Sequence, residues 1–260
     1  MAGQVHVERK AKVAWILFDH RERRNAMSVD MWKAIPEVAR QLDEDSEIRA
    51  VVLRGAGEEA FVAGADLSEF PDEKEGAGTS AYGVLIGAAF AALENIGKPV
   101  LAAIHGPCVG GGCAIALCAD LRFCAEDAVF AIPALRLGIG YGPDGIEKLT
   151  RVVGEPAARE ILLTGRRFDA AEAAAMKLVN RVLPKLELDD FVRTLAESVA
   201  ANAPLALRAT KSAFGDIGRP EGSRNRDAVE QAVAACLESE DYREGVRAFL
   251  EKRRPHFRGR

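Results

Sequence analysis

Three consecutive glycines, Gly110, Gly111 and Gly112, lie in the run His105-Gly106-Pro107-Cys108-Val109-Gly110-Gly111-Gly112-Cys113. The apolar run Pro99-Val-Leu-Ala-Ala-Ile104 precedes it and the small-residue run Ala114-Ile-Ala-Leu-Cys-Ala119 follows. Strand, loop and helix are expected, with the glycines at the helix start. Backbone N–H groups are unpaired there, no side chain keeps a ligand off them, and the helix dipole favours negative charge. The chemistry offered is the binding of an anion or of a developing oxyanion. It is not that of a phosphate loop, because no Lys-Ser/Thr pair follows, and the spacing is not G-x-G-x-x-G. The same glycines also fit a tight turn that packs a helix closely on a strand.

Other reactive side chains form no pattern. His6, His20, His105 and His256 have no partner spacing, and Cys113 lacks the His and Asn a thiol nucleophile would need. Cys108, Cys113 and Cys118 lack metal-ligand spacing and read as small buried hydrophobes, so no metal is expected.

The elements that must hold the glycine loop can be read in order. Val5-His-Val7 and Lys12-Val-Ala-Trp-Ile-Leu-Phe18 read as strands, followed by the loop Asp19 to Asn25. Ser28 caps a helix to about Asp43, with Met31, Ile35, Val38 and Leu42 on one face. Arg49 to Arg54 is a buried strand ending at Gly55. Phe61-Val-Ala-Gly-Ala-Asp66 is a short segment in which Gly64 permits a turn closed to other residues. A loop over Pro71 to Ser80 leads into a helix from about Ala81 to Asn95. Beyond the glycine loop, Leu121 to Cys124, Ala128 to Ile132 and Val179 to Leu183 read as strands. Leu135 to Gly145 reads as an irregular loop, and Ile146 to Val153 and Pro156 to Leu163 as helices. From about Leu188 every pattern is helical, broken at Pro204 and around Gly215 to Pro220. The result is a layered α/β fold with a helical appendage, divided here as 1–195 and 196–260.

The 260 residues, 48% hydrophobic and 28% charged, are ample for one substantial core. No apolar run reaches the roughly 18 residues of a membrane helix, and the first residues lack a signal-peptide pattern, so cytoplasm is the expected location. A formal net charge of −4 argues against a nucleic-acid binder.

Together, Phe61-Val-Ala-Gly-Ala-Asp66, the Gly106 to Cys113 loop, Leu163-Thr-Gly165, Met176-Lys-Leu-Val-Asn180 and the tail Glu240 to Pro255 resemble the crotonase (enoyl-CoA hydratase/isomerase) superfamily over nearly the whole chain. The resemblance implies a spiral of repeated strand-strand-helix units with a C-terminal helical region that makes trimers or dimers of trimers. It implies an acyl-CoA substrate and no separate cofactor, coenzyme A entering as part of the substrate. A reacting thioester develops charge on its carbonyl oxygen, and two backbone N–H groups can stabilise it. By motif position these belong to Ala65 and Gly111, aimed by Gly64 and Gly110. The resemblance places Asp66, Leu67 and Ser68 along the pantetheine and adenine and Arg23 near the CoA phosphates. It brings Phe249 and Lys252 to CoA from the same or a neighbouring subunit.

Hydratases of this family carry one glutamate directly after the glycine-loop cysteine and another after the proline of the following strand, where this chain has Ala114 and Ala134. True hydratase activity is therefore not expected. Tyr141 matches the tyrosine of a decarboxylase type within the family, although that type carries His where this chain has Ala65. Asp144, three residues on, is either a hydrolytic carboxylate or an N-cap for the helix starting near Gly145. Tyr141 can equally be an aromatic pocket wall, and Arg23 and Lys252 ordinary solvated charges. The leading reading is an enoyl-CoA hydratase/isomerase-like enzyme, a lyase or isomerase that stabilises a thioester enolate or oxyanion; the alternatives are an acyl-CoA decarboxylase or hydrolase using Tyr141 or Asp144, and a non-catalytic acyl-CoA binder. The loops Pro71 to Tyr82 and Leu135 to Gly145 are expected to set acyl-chain length.

Overall fold

A computed structural model describes residues 3–69 and 81–260; the loop expected over 71–80 lies outside them. Its main sheet has the order β1-β2-β3-β4-β6-β9, formed by β1 (Gln4–Lys10), β2 (Val13–Asp19), β3 (Ala50–Gly55), β4 (Val100–Ile104), β6 (Leu121–Ala125) and β9 (Arg181–Leu183). Only β1 runs antiparallel to its neighbour. A smaller sheet pairs β5 (Pro107–Val109), β7 (Val129–Ala131) and β8 (Phe168–Asp169). Single bridges, Met27 to Ala65 and Val62 to Cys108, extend this second layer toward the earlier turns of the chain. Successive turns therefore place one strand in the large sheet, a short extended segment in the second layer, and then a helix. That is the strand-strand-helix spiral expected. The helices that close the first three turns are α1 (Val29–Glu44), α2 (Ala81–Glu94) and α3 (Gly111–Leu117).

Both faces of the central parallel strands are covered, which explains their nearly continuous apolar runs. Ala14, Ile16, Phe18, Val51 and Leu53 face the larger core, with Trp32 and Leu42 of α1 and Leu93 of α2. The alternate residues Val13, Trp15, Ala50, Val52, Leu101 and Ala103 pack against Leu188, Val192, Ala196 and Ala200 of a later helix, Leu188–Ala200. The expected division at residue 195 falls inside that helix. Numbered in order, the remaining helices are α4 (Pro143–Val153), α5 (Glu155–Thr164), α6 (Ala170–Ala175), α7 (Leu188–Ala200), α8 (Pro204–Ile217), α9 (Arg226–Glu238) and α10 (Glu240–Leu250).

Three local readings need correction. Pro107 to Val109 is a strand rather than loop, because its backbone pairs with β7. The stretch Leu135 to Gly145 is not irregular throughout: Ala134–Leu137 forms a 3-10 turn and α4 begins at Pro143. Proline suits the first helical position, so Gly142 is the N-cap and Asp144 lies in the first turn without capping it.

Candidate active site

Two backbone turns meet at the seam between the layers. The segment 64–66 runs beside Met27, with Met27 N–H donating to the Gly64 carbonyl at 2.8 Å and Asp66 N–H donating to the Met27 carbonyl at 2.9 Å. In an extended segment the intervening N–H points the other way, so that of Ala65 is turned from this pairing. Gly64, at φ +118°, makes the bend that only glycine adopts readily. Opposite it, Gly110 has φ +53° and ψ −110°, its N–H donates to the Ala131 carbonyl at 2.8 Å, and it caps α3. Gly111 then opens the helix, where an N–H has no acceptor within the helix. Among the described residues, neither the Ala65 nor the Gly111 N–H has a hydrogen-bond acceptor. The two are close: a methyl placed on Gly111 would lie 3.8 Å from the Ala65 nitrogen.

Gly112 explains the third glycine differently. A Cβ there would fall 2.2 Å from the Val62 carbonyl oxygen, so this position is what seats α3 against the second layer. The two readings of the glycine run, donor junction and close packing, thus hold for different residues of it.

The two N–H groups face a cavity of about 500 Å³ lined by Gly64, Ala65, Leu67, Gly110, Gly111, Tyr141 and Asp144 among others. Its walls are largely apolar, with Trp32 and Phe90 packed edge to face at 5.5 Å. Ala114 and Ala134, where the family resemblance places hydratase glutamates, are both wall residues and present only methyl groups. Tyr141 is partly buried on the wall, its ring lying under Gly145, where a Cβ would come within 2.7 Å. Burial pushes its phenol well above the ordinary range, so the hydroxyl keeps its proton at neutral pH. Asp144 is exposed at the rim. Two neutral donors beside an apolar cavity can hold negative charge developing on a carbonyl oxygen, with a phenol available to donate a proton.

Other expected site residues are placed elsewhere. Arg23 donates from Nη1 to both oxygens of Asp66 and to the Ser68 hydroxyl, each at 2.7 Å. Hydrogen bonds from Ser68, together with the Arg23 charge, hold the Asp66 carboxyl below its usual range despite burial. Leu67 lines the cavity mouth, whereas Asp66 and Ser68 serve the turn behind it. Phe249 and Lys252 are not brought to the cavity within one chain. Phe249 is 82% exposed beside a separate apolar hollow with Leu205, Leu237 and Val246, and Lys252 lies just past the end of α10 in a left-handed conformation.

Two cavity residues have no signal in the sequence. Glu94, the last residue of α2, and Lys148 of α4 form an ion pair on the wall, and the Cys118 thiol donates to Glu94 Oε1 at 3.3 Å. They are 54 positions apart, and no spacing rule links them. His105, 2% exposed, places Nε2 at 3.0 Å from Asp189, which also binds Arg54. That network fixes β3 and the end of β4 to α7 rather than entering the cavity.

The family model described as enoyl-CoA hydratase/isomerase matches residues 8–260. Among curated relatives, a short-chain-enoyl-CoA hydratase of Clostridium acetobutylicum is 35% identical, covering 97% of this chain and 96% of its own length. A carnitinyl-CoA dehydratase of Proteus mirabilis is 36% identical over the full length of both. Among solved structures, an enoyl-CoA hydratase/carnithine racemase from Magnetospirillum magneticum superposes with a TM-score of 0.93 at 36% identity, covering 98% of this chain and 96% of that one. By family-model match, sequence identity and fold, this chain belongs to the enoyl-CoA hydratase/isomerase family, the crotonase superfamily.

Proposed function

We propose that the chain acts on an acyl-CoA thioester and stabilises an enolate or oxyanion at its carbonyl oxygen with the N–H groups of Ala65 and Gly111. The observation that carries this reading is the pair of acceptor-free N–H groups converging on an apolar cavity. Each such donor is worth about 2.7–4 kcal/mol of transition-state stabilisation in acyl-transfer enzymes. Coenzyme A enters with the substrate, and no other cofactor is called for. Leu67 at the mouth guides the pantetheine. The Arg23, Asp66 and Ser68 cluster stands beside it, with half the Arg23 side chain open to solvent where a CoA phosphate would meet it. Phe249 and Lys252 reach CoA only from a neighbouring subunit of a trimer or a dimer of trimers.

With methyl groups at Ala114 and Ala134, water lacks the two carboxylates that the hydratase positions would supply to orient and activate it, so hydration is not the main reaction. Loss of carbon dioxide from a malonyl-type acyl group generates the enolate directly. The two N–H donors then supply most of the stabilisation, and a protonated Tyr141 delivers the proton to carbon. The partly buried place of Tyr141 on the cavity wall favours this over hydrolysis through Asp144, which lies exposed at the rim. Turnover of an acyl-CoA panel followed by mass spectrometry, repeated on Tyr141→Phe and Asp144→Asn, tests the reading. Collapse of turnover in Tyr141→Phe alone is the expected result. Unchanged turnover in Tyr141→Phe with collapse in Asp144→Asn would transfer the chemistry to the carboxylate, and no turnover of any acyl-CoA would leave a binder.

A further inference from the structure

The Glu94–Lys148 pair is charged, lies on the wall of a cavity that is otherwise largely apolar, and takes no part in the chemistry proposed above. Its surroundings set what it can accept. Lys148 Nζ sits 5.9 Å from the centre of the Phe90 ring and its side chain is 26% exposed, while that of Glu94 is 38% exposed. Burial, together with the nearby Arg151 charge, pulls the Lys148 ammonium down to about 8. Glu94 also receives the Cys118 thiol, which fixes one of its oxygens. The remaining lone pairs of Glu94 and the remaining protons of Lys148 are available on the cavity side.

The position of the pair along α3 gives a distance. Gly111 supplies a donor N–H at the start of that helix, and Cys118, which touches Glu94, is its C-cap. Seven residues at about 1.5 Å rise separate them by roughly 10 Å. A hydrogen bond of about 2.9 Å at each end leaves roughly 4–5 Å between them; an extended chain advances roughly 1.2 Å per bond, a third of the 3.3–3.6 Å spanned per residue, so the four C–C bonds of a five-carbon acyl group span that gap.

We propose that Glu94 and Lys148 form a polar subsite that selects acyl groups carrying a hydroxyl near their distal end, an inference that rests on the acyl-CoA reading of the cavity. A hydroxyl both accepts and donates, so it can accept a hydrogen bond from the Lys148 ammonium and donate one to the Glu94 carboxylate. A second carboxylate would meet Glu94 and a cation would meet Lys148, each with like charge at close range. A plain alkyl end would displace water from the pair and return no hydrogen bond. Sites enclosed around a substrate hydroxyl reject the analogue lacking it by roughly 10⁴–10⁵. This pair keeps some solvent access, and about 10–100-fold is expected.

The test uses carba analogues of acyl-CoA, in which a methylene replaces the thioester sulfur so that neither hydrolysis nor lactone formation intervenes. Calorimetry compares the acetyl, pentanoyl and 5-hydroxypentanoyl analogues on the wild-type protein and on Lys148→Met and Glu94→Gln. The wild type should bind the hydroxylated analogue at least ten-fold more tightly than the pentanoyl one, and both variants should lose that preference. Equal binding of the two five-carbon analogues to the wild type overturns the subsite alone, and this arm stands even if a variant fails to fold. A preference that survives in both folded variants also overturns it. Failure to bind even the acetyl analogue overturns the acyl-CoA reading beneath it.

Discussion

Replacing Gly112 by alanine tests whether the seat of α3 sets the position of the Gly111 N–H. The new Cβ would stand 2.2 Å from the Val62 carbonyl oxygen and 3.0 Å from Val62 Cβ, against 3.4 Å for ordinary contact. Val62 cannot yield freely, because its carbonyl accepts the Val109 N–H at 3.0 Å and its own N–H donates to Pro107. The helix must therefore withdraw by roughly 1 Å, and close-packed interiors transmit such strain rather than absorb it. A shift of about 1 Å carries the Gly111 N–H out of hydrogen-bond range of an oxygen held by Ala65, and one lost donor costs about 10²–10³-fold in kcat. Overpacking adds a stability loss of about 1–3 kcal/mol. The assay is kcat and KM on the best acyl-CoA from the panel, with urea unfolding alongside. Gly215→Ala serves as control, because its Cβ meets nothing within 4 Å inside α8. It should gain about 0.5–1 kcal/mol with unchanged kcat. A folded Gly112→Ala protein whose kcat stays within about three-fold of wild type would refute the link between this packing and the donor.

Further outcomes follow from the same structure. Hydration of crotonyl-CoA should fall at least about 10²–10⁴-fold below that of a two-glutamate hydratase, and Ala114→Glu with Ala134→Glu should raise it; ordinary hydratase rates in the wild type would contradict the argument. Light scattering at micromolar concentration should give a trimer or hexamer, since Phe214, Leu237, Phe249 and Leu250 leave a broad apolar face on α8 to α10; a monomer would remove that assembly. Burial pushes the Asp189 carboxyl up, but hydrogen bonds from His105 and Arg54 and the Arg54 charge outweigh it, leaving the group far below its unfolded value. Its stabilisation is therefore complete above about pH 4, the unfolded aspartate range, and is lost as pH falls from there toward the folded value. Urea midpoints of wild type and Asp189→Asn should converge below about pH 4; a constant gap would contradict the sign.

Much of the scaffold was legible because its signals are local. The apolar strands, the Ser28 cap and the glycine turns each depend on a few neighbouring residues, and Ser28 does accept the Met31 N–H. Pro107 to Val109 escaped because only pairing with a distant segment makes it a strand. The start of α4 is hidden because Pro143 at its first position, with a glycine before it, has the same pattern as a loop. Gly64, Ala65, Gly110, Gly111, Tyr141 and Asp144, singled out by their motifs, line one cavity. The Arg23 contacts with Asp66 and Ser68 are hidden in the sequence, because a salt bridge across 43 positions leaves no periodic trace. Glu94 and Lys148 were invisible for the same reason.

The central claim is that Ala65 and Gly111 hold a thioester oxygen. A crystal structure with a short acyl-CoA or its carba analogue tests it directly. The account predicts the carbonyl oxygen within about 2.7–3.1 Å of both backbone nitrogens. A well-occupied ligand whose carbonyl points elsewhere, leaving both N–H groups to water, would contradict it.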